Sequence, residues 1–480
     1  MIRGLEREEY DDLLAMEEQI KSQEERNRAR WAYYTAEQEF KNLGIAIDPQ
    51  YENFVTILGW CGKAIRSLAN RIKFEGYVLA DEAEHYTELN DKFEQTRFMS
   101  QFYQGLESML VYGCHFMAFT RGNVAAGEPE VISWGFSARN ATGLWDSRVP
   151  GRLRVGLTIN KRDKQGNPLT KIMYYKDRYV TLTRSKFLAD WTVSRTINGT
   201  GAVTLVPMLF RPTPDKPWGQ SRITRSMMGI VDGGTRTNLR TEVNGEFYSY
   251  PQMVALNIKP DDFDLQARIG KAMVIDYERD KQGRPIKDAP QAAIQQLVTG
   301  TQQPNIDQLR SAAMNFAAEA DLSPDKLGVI HDNPSSADAI DRADAELNLA
   351  AEITTSRDLH QPMVDSIRLF DMVANQRSMW SETFNEISTD FRDPGMITRY
   401  SQKLAAAQLI SSGALPPGEA ITYEIAGMTP VQTRRLVAAH EKQRIREQRE
   451  ATRQAAANGG VGSASTSPFV QEAVTQRGEA

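Results

Sequence analysis

The hydrophobic period changes twice along this chain, and that constrains its fold more than any other feature. Between about residues 114 and 210 apolar residues recur at every second position, while on both sides they recur with helical spacing. The clearest stretch is "GRLRVGLTINKRDKQGNPLTKIMYYKDRYVTLTR" (151–184), where alternation runs on both sides of "DKQGNP" (163–168). Asp, Gly, Asn and Pro are turn formers, so the two runs read as a hairpin. Short connections permit only antiparallel pairing. A β-rich middle flanked by helices makes the chain α+β.

The flanks are helical. Residues 3–40 are highly charged, with Leu5, Leu13 and Ile20 among the charges, and read as an exposed helix ending near Gly44. The segment "YENFVTILGWCGKAIRSL" (51–68) is more apolar, "RIKFEGY" (71–77) reads as a short strand with a turn, and 93–112 as a helix. After Pro217 helical spacing covers 220–248 and includes Gly229, Gly233, Gly234 and Gly245. Each glycine costs up to ~1 kcal/mol relative to alanine inside a helix. Close contact with neighbouring backbones would supply a reason for that cost. Ile223, Met227 and Ile230 share one face and Leu239, Val243 and Phe247 another, so this helix either kinks at Gly233-Gly234 or meets two neighbours.

Residues 251–300 read as a compact α+β insert with a second turn at "RDKQGRP" (279–285), and helical spacing returns at 305–320. Next comes "HDNPSSADAIDRAD" (331–344), a hard turn that launches a helix extending to about 375. Pro334 forces the turn, and Ser335 is placed to cap the helix with Asp338 at its third position. Asp338, Asp341 and Asp344 put acids near the positive helix terminus. From Pro394 the pattern is almost wholly helical. Thr429-Pro430-Val431-Gln432 forms a capping box with proline at the first helical position. The helix it starts carries Arg434, Arg435, Lys442, Arg444, Arg446, Arg449 and Arg453 against Glu441, Glu447 and Glu450. "GGVGSASTSP" (459–468) opens a flexible tail.

At 480 residues the chain is long enough for two or more domains. Its net charge of −5 argues against a protein that grips nucleic acid by bulk positive charge. The only two cysteines, Cys61 and Cys114, stand in apolar surroundings and read as buried thiols rather than a disulfide framework. The start "MIRGLEREEYDD" lacks an apolar core of the secretory type, and the apolar run around 109–119 is too short to span a bilayer. The expectation is a protein that is cytosolic in the cell that makes it, with no membrane partner.

Catalytic signals are lacking in the sequence. The pairs Gly62-Lys63 and Gly270-Lys271 have neither the upstream glycine nor the following hydroxyl of a phosphate-binding loop. The five histidines stand singly, without metal-ligand spacing, and His115 reads as a satisfied core histidine. Asp261-Asp262 follows a proline and reads as a turn or cap. No metal, cofactor or enzymatic activity is expected. Arg222, Arg225, Arg236 and Arg240 would fall within ~60° of one face of an unbroken helix, either facing phosphates or pairing between subunits. The basic helix 434–453 is either a solvated face or a nucleic-acid-facing one.

The order of these features resembles the portal proteins of tailed bacteriophages, of the type common in phages of actinobacteria. "RWAYYTAEQEFKNLGI" (30–45) is similar to that family's N-terminal Tyr-Tyr segment, without the glycine that often follows the tyrosines. "NRIKFEGY" (70–77), "KPWGQSRITRSM" (216–227) and "EFYSYPQMVALN" (246–257) resemble its short strand, the start of its first stem helix and the passage into its clip. "ADLSPDKLGVIHDNPSSADAIDRADAEL" (320–347) is the most specific of these likenesses.

The resemblance implies a portal architecture of wing, two-helix stem, α/β clip and helical crown, with subunits in a ring of twelve around a central channel. It divides the chain into an N-terminal charged helix (1–29), a wing (30–218), stem helices at 219–250 and 304–322, and a clip at 251–303. A tunnel loop with the long wing helix (323–394), a crown (395–457) and the tail (458–480) follow. His331, Asp332, Asn333, Ser335 and Ser336 would border the DNA channel. Arg222, Arg225, Arg236 and Arg240 would face the channel or a neighbour, and Arg444, Arg446, Arg449 and Arg453 would form the basic face of the crown.

The implied function is packaging and ejection of double-stranded DNA at one capsid vertex. The implied partners are the terminase large subunit, a head–tail adaptor, and the major capsid and scaffolding proteins. The location would be the virion, and the host cytoplasm during assembly. Two other readings compete: a metal-dependent nuclease acting in packaging, and a minor head or scaffold protein.

Overall fold

A computed structural model of the chain describes residues 2–41, 55–79, 95–184, 190–249, 253–256, 281–284, 286, 293–296, 301–328, 337–395, 399–428 and 430–458. They fall into two compact units. The first comprises Met1–Ala80 and His85–Gly395, the second Asp81–Glu84 and Met396–Ala480.

The alternating middle forms two antiparallel sheets. Strands β4 (Ala141–Trp145), β5 (Leu153–Arg162), β6 (Pro168–Tyr174), β7 (Arg178–Thr183) and β8 (Thr192–Ile197) pair in sequence order as a five-stranded meander. The hairpin read at "DKQGNP" joins β5 to β6. The Asp163 carboxylate accepts the backbone N–H groups of Gln165 (2.9 Å) and Asn167 (2.8 Å), and Gly166 takes the left-handed conformation at φ +86° that the turn requires. A three-stranded sheet, β3 (Val131–Ser137), β2 (Cys114–Arg121) and β9 (Leu205–Leu209), packs close by through Phe116, Leu153, Tyr174 and Leu205. Gly156 makes that approach possible, because a Cβ there would lie 2.5 Å from Leu205 Cδ2.

Helix α1 (Arg7–Thr35) differs from the exposed helix expected at the N-terminus. Leu13 and Met16 lie one turn apart and are fully buried against Val155, Leu157, Met173, Val180 and Leu182 of the meander. The acids flanking them are paired. Glu9 accepts from Arg178 (3.0 Å) and Arg195 (2.5 Å), Asp12 from Arg154 (2.5 Å) and the Tyr175 hydroxyl (3.1 Å), and Glu24 from Arg139 (2.7 Å). Lys171 reaches Glu17. Burial pushes the Glu9 carboxyl up, but the hydrogen bonds it accepts outweigh this and hold it below its ordinary range. The helix runs unbroken through residues 29 and 30.

The largest core gathers α2 (Trp60–Ala69), α3 (Phe98–Tyr112), α4 (Arg225–Ser249), α5 (Gln303–Glu319), α6 (Ala337–Ile353) and α7 (His360–Asn375). Strand β1 (Phe74–Leu79) pairs antiparallel with β12 (Ile387–Phe391), a partner more than three hundred residues along the chain. The long helix expected from 335 to 375 is interrupted by a π-helical turn, Thr354–Leu359, that divides α6 from α7. There the hydroxyls of Thr354, Thr355 and Ser356 donate back to the carbonyls of Ala350 and Glu352, competing with the helical ladder.

Helix α4 continues through Gly233-Gly234 and meets two neighbours, α2 and α5. Within this one chain, a Cβ on Gly234 would strike the side chains of Leu58 (2.8 Å) and Trp60 (3.3 Å), and nothing among the described residues lies within 4 Å of a Cβ on Gly229. His115 also departs from expectation. It is 4% exposed, wedged where Gly105 and Gly135 make room for its ring, and neither ring nitrogen has a partner among the described residues. Burial lowers its pKa to about 3, so it is neutral. Cys61 and Cys114 are buried free thiols, raised to about 12 by burial.

Of the insert between α4 and α5, β10 (Met253–Leu256) pairs antiparallel with β11 (Ala293–Gln296). The second unit is helical: α8 (Arg399–Ser411), α9 (Ala420–Ile425) and α10 (Pro430–Asn458). Among its described residues, Ala406, Thr422, Ala426, Gly427 and Thr433 are buried. The Thr429 of the expected capping box lies outside the described residues, with Pro430 the first residue of α10. Among the described residues no helix is long and apolar enough to cross a membrane.

Candidate nucleic-acid interface

The five loop residues singled out from the sequence, His331, Asp332, Asn333, Ser335 and Ser336, lie outside the described residues, as do the acids Asp261 and Asp262. The segments on either side of the loop are described, and they are tied together. Before it, a 3-10 turn spans Pro324–Leu327; after it comes α6. Lys326 of that turn pairs with Asp344 of α6. Arg71, which follows α2, donates to the other Asp344 oxygen (2.6 Å), to Asn348 and to the Pro394 carbonyl (3.4 Å).

A carboxylate that is 8% exposed is costly to bury unless paired, and two cations pair this one. The sequence marks Asp344 only as one of three acids near a helix start. Its clamp joins residues 273 apart, a distance over which no local spacing signals contact.

The four arginines read as one stripe separate. Arg222 is a correction: α4 begins at Arg225, so Arg222 precedes the helix. It is buried, donating to the Ala320 carbonyl (2.5 Å) and facing Asp321 at 3.4 Å beyond the end of α5. Burial lowers its pKa, with Asp321 opposing. It locks the start of α4 to the end of α5 within one chain. Arg225 is exposed, and Arg236 and Arg240 are half-buried on α4. The α4–α5 pair is therefore fastened at one end by Arg222 and by Thr224, whose hydroxyl donates to Glu319 (2.8 Å).

In the second unit every residue of α10 from 441 to 454 is exposed. Arg444, Arg446, Arg449 and Arg453 form no ion pair among the described residues. Among the described residues no three His, Cys, Asp or Glu side chains gather as a metal site would require.

No family model matches the chain. It is 23% identical over 351 residues to the portal protein of Mycobacterium phage D29, covering 70% of each chain. It is 24% identical over 350 residues to the portal protein of Mycobacterium phage L5, again covering 70% of each. Among solved structures it is similar to the neck of an empty GTA particle computed with C6 symmetry, at 10% identity and a TM-score of 0.41, over 81% of this chain and 96% of that one. The neck of a native GTA particle computed with C12 symmetry gives 10% identity and 0.39, over 80% and 95%. The resemblance carried by the sequence motifs, to portal proteins of tailed bacteriophages, is thus found again in these curated relatives.

Proposed function

We propose that this chain is the portal protein of a tailed bacteriophage, a structural subunit without enzymatic activity. In this reading it forms a twelve-membered ring at one capsid vertex. DNA passes through the centre of the ring, the terminase large subunit and then a head–tail adaptor dock at the clip, and capsid and scaffolding proteins surround the wing. The observation that carries the reading is the similarity to two portal proteins along 70% of their length and of this one. The α4–α5 pair supports a stem at 219–250 and 304–322, with the β10–β11 hairpin in the clip between them.

A channel that moves a polyanion must not hold it, since each neutralised phosphate adds salt-dependent affinity. His331, Asp332 and Asn333, next to a chain of net charge −5, suit a constriction of that kind. Replacing Asp332 and Asn333 by lysine is expected to impair DNA packaging while leaving ring assembly intact, measured as packaged genome per assembled particle. Full packaging by the double variant would remove the loop from the mechanism. The unpaired arginines of α10 form the crown face toward packaged DNA. Reversing Arg444, Arg446, Arg449 and Arg453 to glutamate should change genome retention, and unchanged retention would remove that role.

A further inference from the structure

Where α1 meets the meander, its acids and the facing cations are neutralised in pairs: Glu9 with Arg178 and Arg195, Asp12 with Arg154, Glu17 with Lys171, Glu24 with Arg139. Two arginines of the same helix break that pattern. Arg26 has no carboxylate partner among the described residues, and Arg30 donates only to the neutral Tyr112 carbonyl (3.1 Å). One turn apart, they line a cleft of about 470 Å³ between α1 and residues 215–225. Arg225, in the first turn of α4, lines the same cleft and likewise lacks a carboxylate partner among the described residues. Lys216 stands on the wall as well, and Asp215 is the one acid there. Asn27 is 3% exposed and lines the cleft. Burial, with Arg26 adding to it, lowers the Arg30 pKa to about 10. The cleft therefore concentrates positive charge that its own chain does not compensate.

We propose that this cleft receives a carboxylate side chain from a second copy of the chain. Guanidinium forks match carboxylates in shape as well as charge. The volume admits a side chain and excludes a duplex. Each copy has carboxylates in surplus, 62 acidic residues against 57 basic ones. The inference rests on the ring reading above, which brings identical copies side by side.

The test compares self-association of the full-length chain by sedimentation at low and high salt. The variants are R26Q/R225Q, both at exposed positions without partners, and the control K164Q on the exposed β5–β6 turn. Wild type and control should associate and lose affinity with salt, while the double variant associates at least ~10-fold more weakly with a flattened salt dependence. Wild-type association and salt dependence in the double variant would overturn the proposal and leave the ring reading standing. So would saturable binding of inorganic phosphate that the variant abolishes without any change in association. A wild type that stays monomeric at every concentration would overturn the proposal, and the ring reading would fall with it if that monomer also cleaves DNA when a divalent metal is added.

Discussion

Helices α1 and α10 are each 29 residues long, and both are dominated by charge. Read as sequences they look alike, yet they end in opposite situations. The acids of α1 meet arginines and a lysine carried by strands of the meander, and its two apolar residues one turn apart find a sheet face to cover. Along α10 every residue from 441 to 454 is exposed among the described residues, and Ile445 remains 41% exposed. Charge density on a helix therefore does not report exposure. What decides is whether the fold brings opposite charge and an apolar face to the same side, and that information lies in strands 140 to 190 residues away.

The contrast is sharpest in stability. Leu13→Ala should cost about 2–5 kcal/mol, since it opens a cavity under α1. Chemical denaturation reads this directly, and a loss under 1 kcal/mol would mean that α1 does not seal the sheet. Glu9→Gln removes the carboxylate that Arg178 and Arg195 share, leaving Arg178 with Asp177 and Glu6 but Arg195 without an ion-pair partner among the described residues. Because both are partly exposed, the expected loss is roughly 2–3 kcal/mol, below the range for fully buried pairs. The Glu9 carboxyl is held below its ordinary value of 4.5, so its contribution is complete above that pH and lost as pH falls through the folded value. The variant should therefore lose less stability than wild type on acidification below pH 4.5.

A third test concerns His115, in the same packed unit. Its pKa falls from 6.5 unfolded to about 3 folded, so below pH 6.5 the unfolded chain binds the extra proton and stability declines. The loss should reach roughly 2 kcal/mol by pH 5. His115→Asn, planar and non-titrating, should flatten the thermal midpoint between pH 6.5 and 5, and an unchanged slope would assign the acid sensitivity elsewhere. The smallest effect belongs to α10. Arg449→Glu should move stability by less than about 0.5 kcal/mol, and a larger loss in the isolated chain would give this helix a partner.

Local chemistry was legible in the sequence and long-range pairing was not. The β5–β6 hairpin could be read because Asp163, Gly166 and Asn167 build the turn from within six residues. The β1 strand was equally readable, but its partner β12 was not, since Phe74 and Phe391 share no local pattern. The hydroxyl run Thr354-Thr355-Ser356 was the one signal available for the π-helical break in the long helix. Of the four-arginine stripe, Arg222 left because the polypeptide turns into α4 only at Arg225, a boundary that periodicity places within a few residues at best. The Arg71–Asp344–Lys326 clamp was invisible for the same reason as β12. The motif order that resembled a portal protein survived because it depends on sequence likeness, which the relatives from phages D29 and L5 share.

The portal reading is tested most directly by imaging the purified full-length chain in the electron microscope alongside mass-resolved chromatography. The account predicts rings of about a dozen copies with an open centre. A chain that remains monomeric at every concentration and cleaves DNA when a divalent metal is added would contradict it.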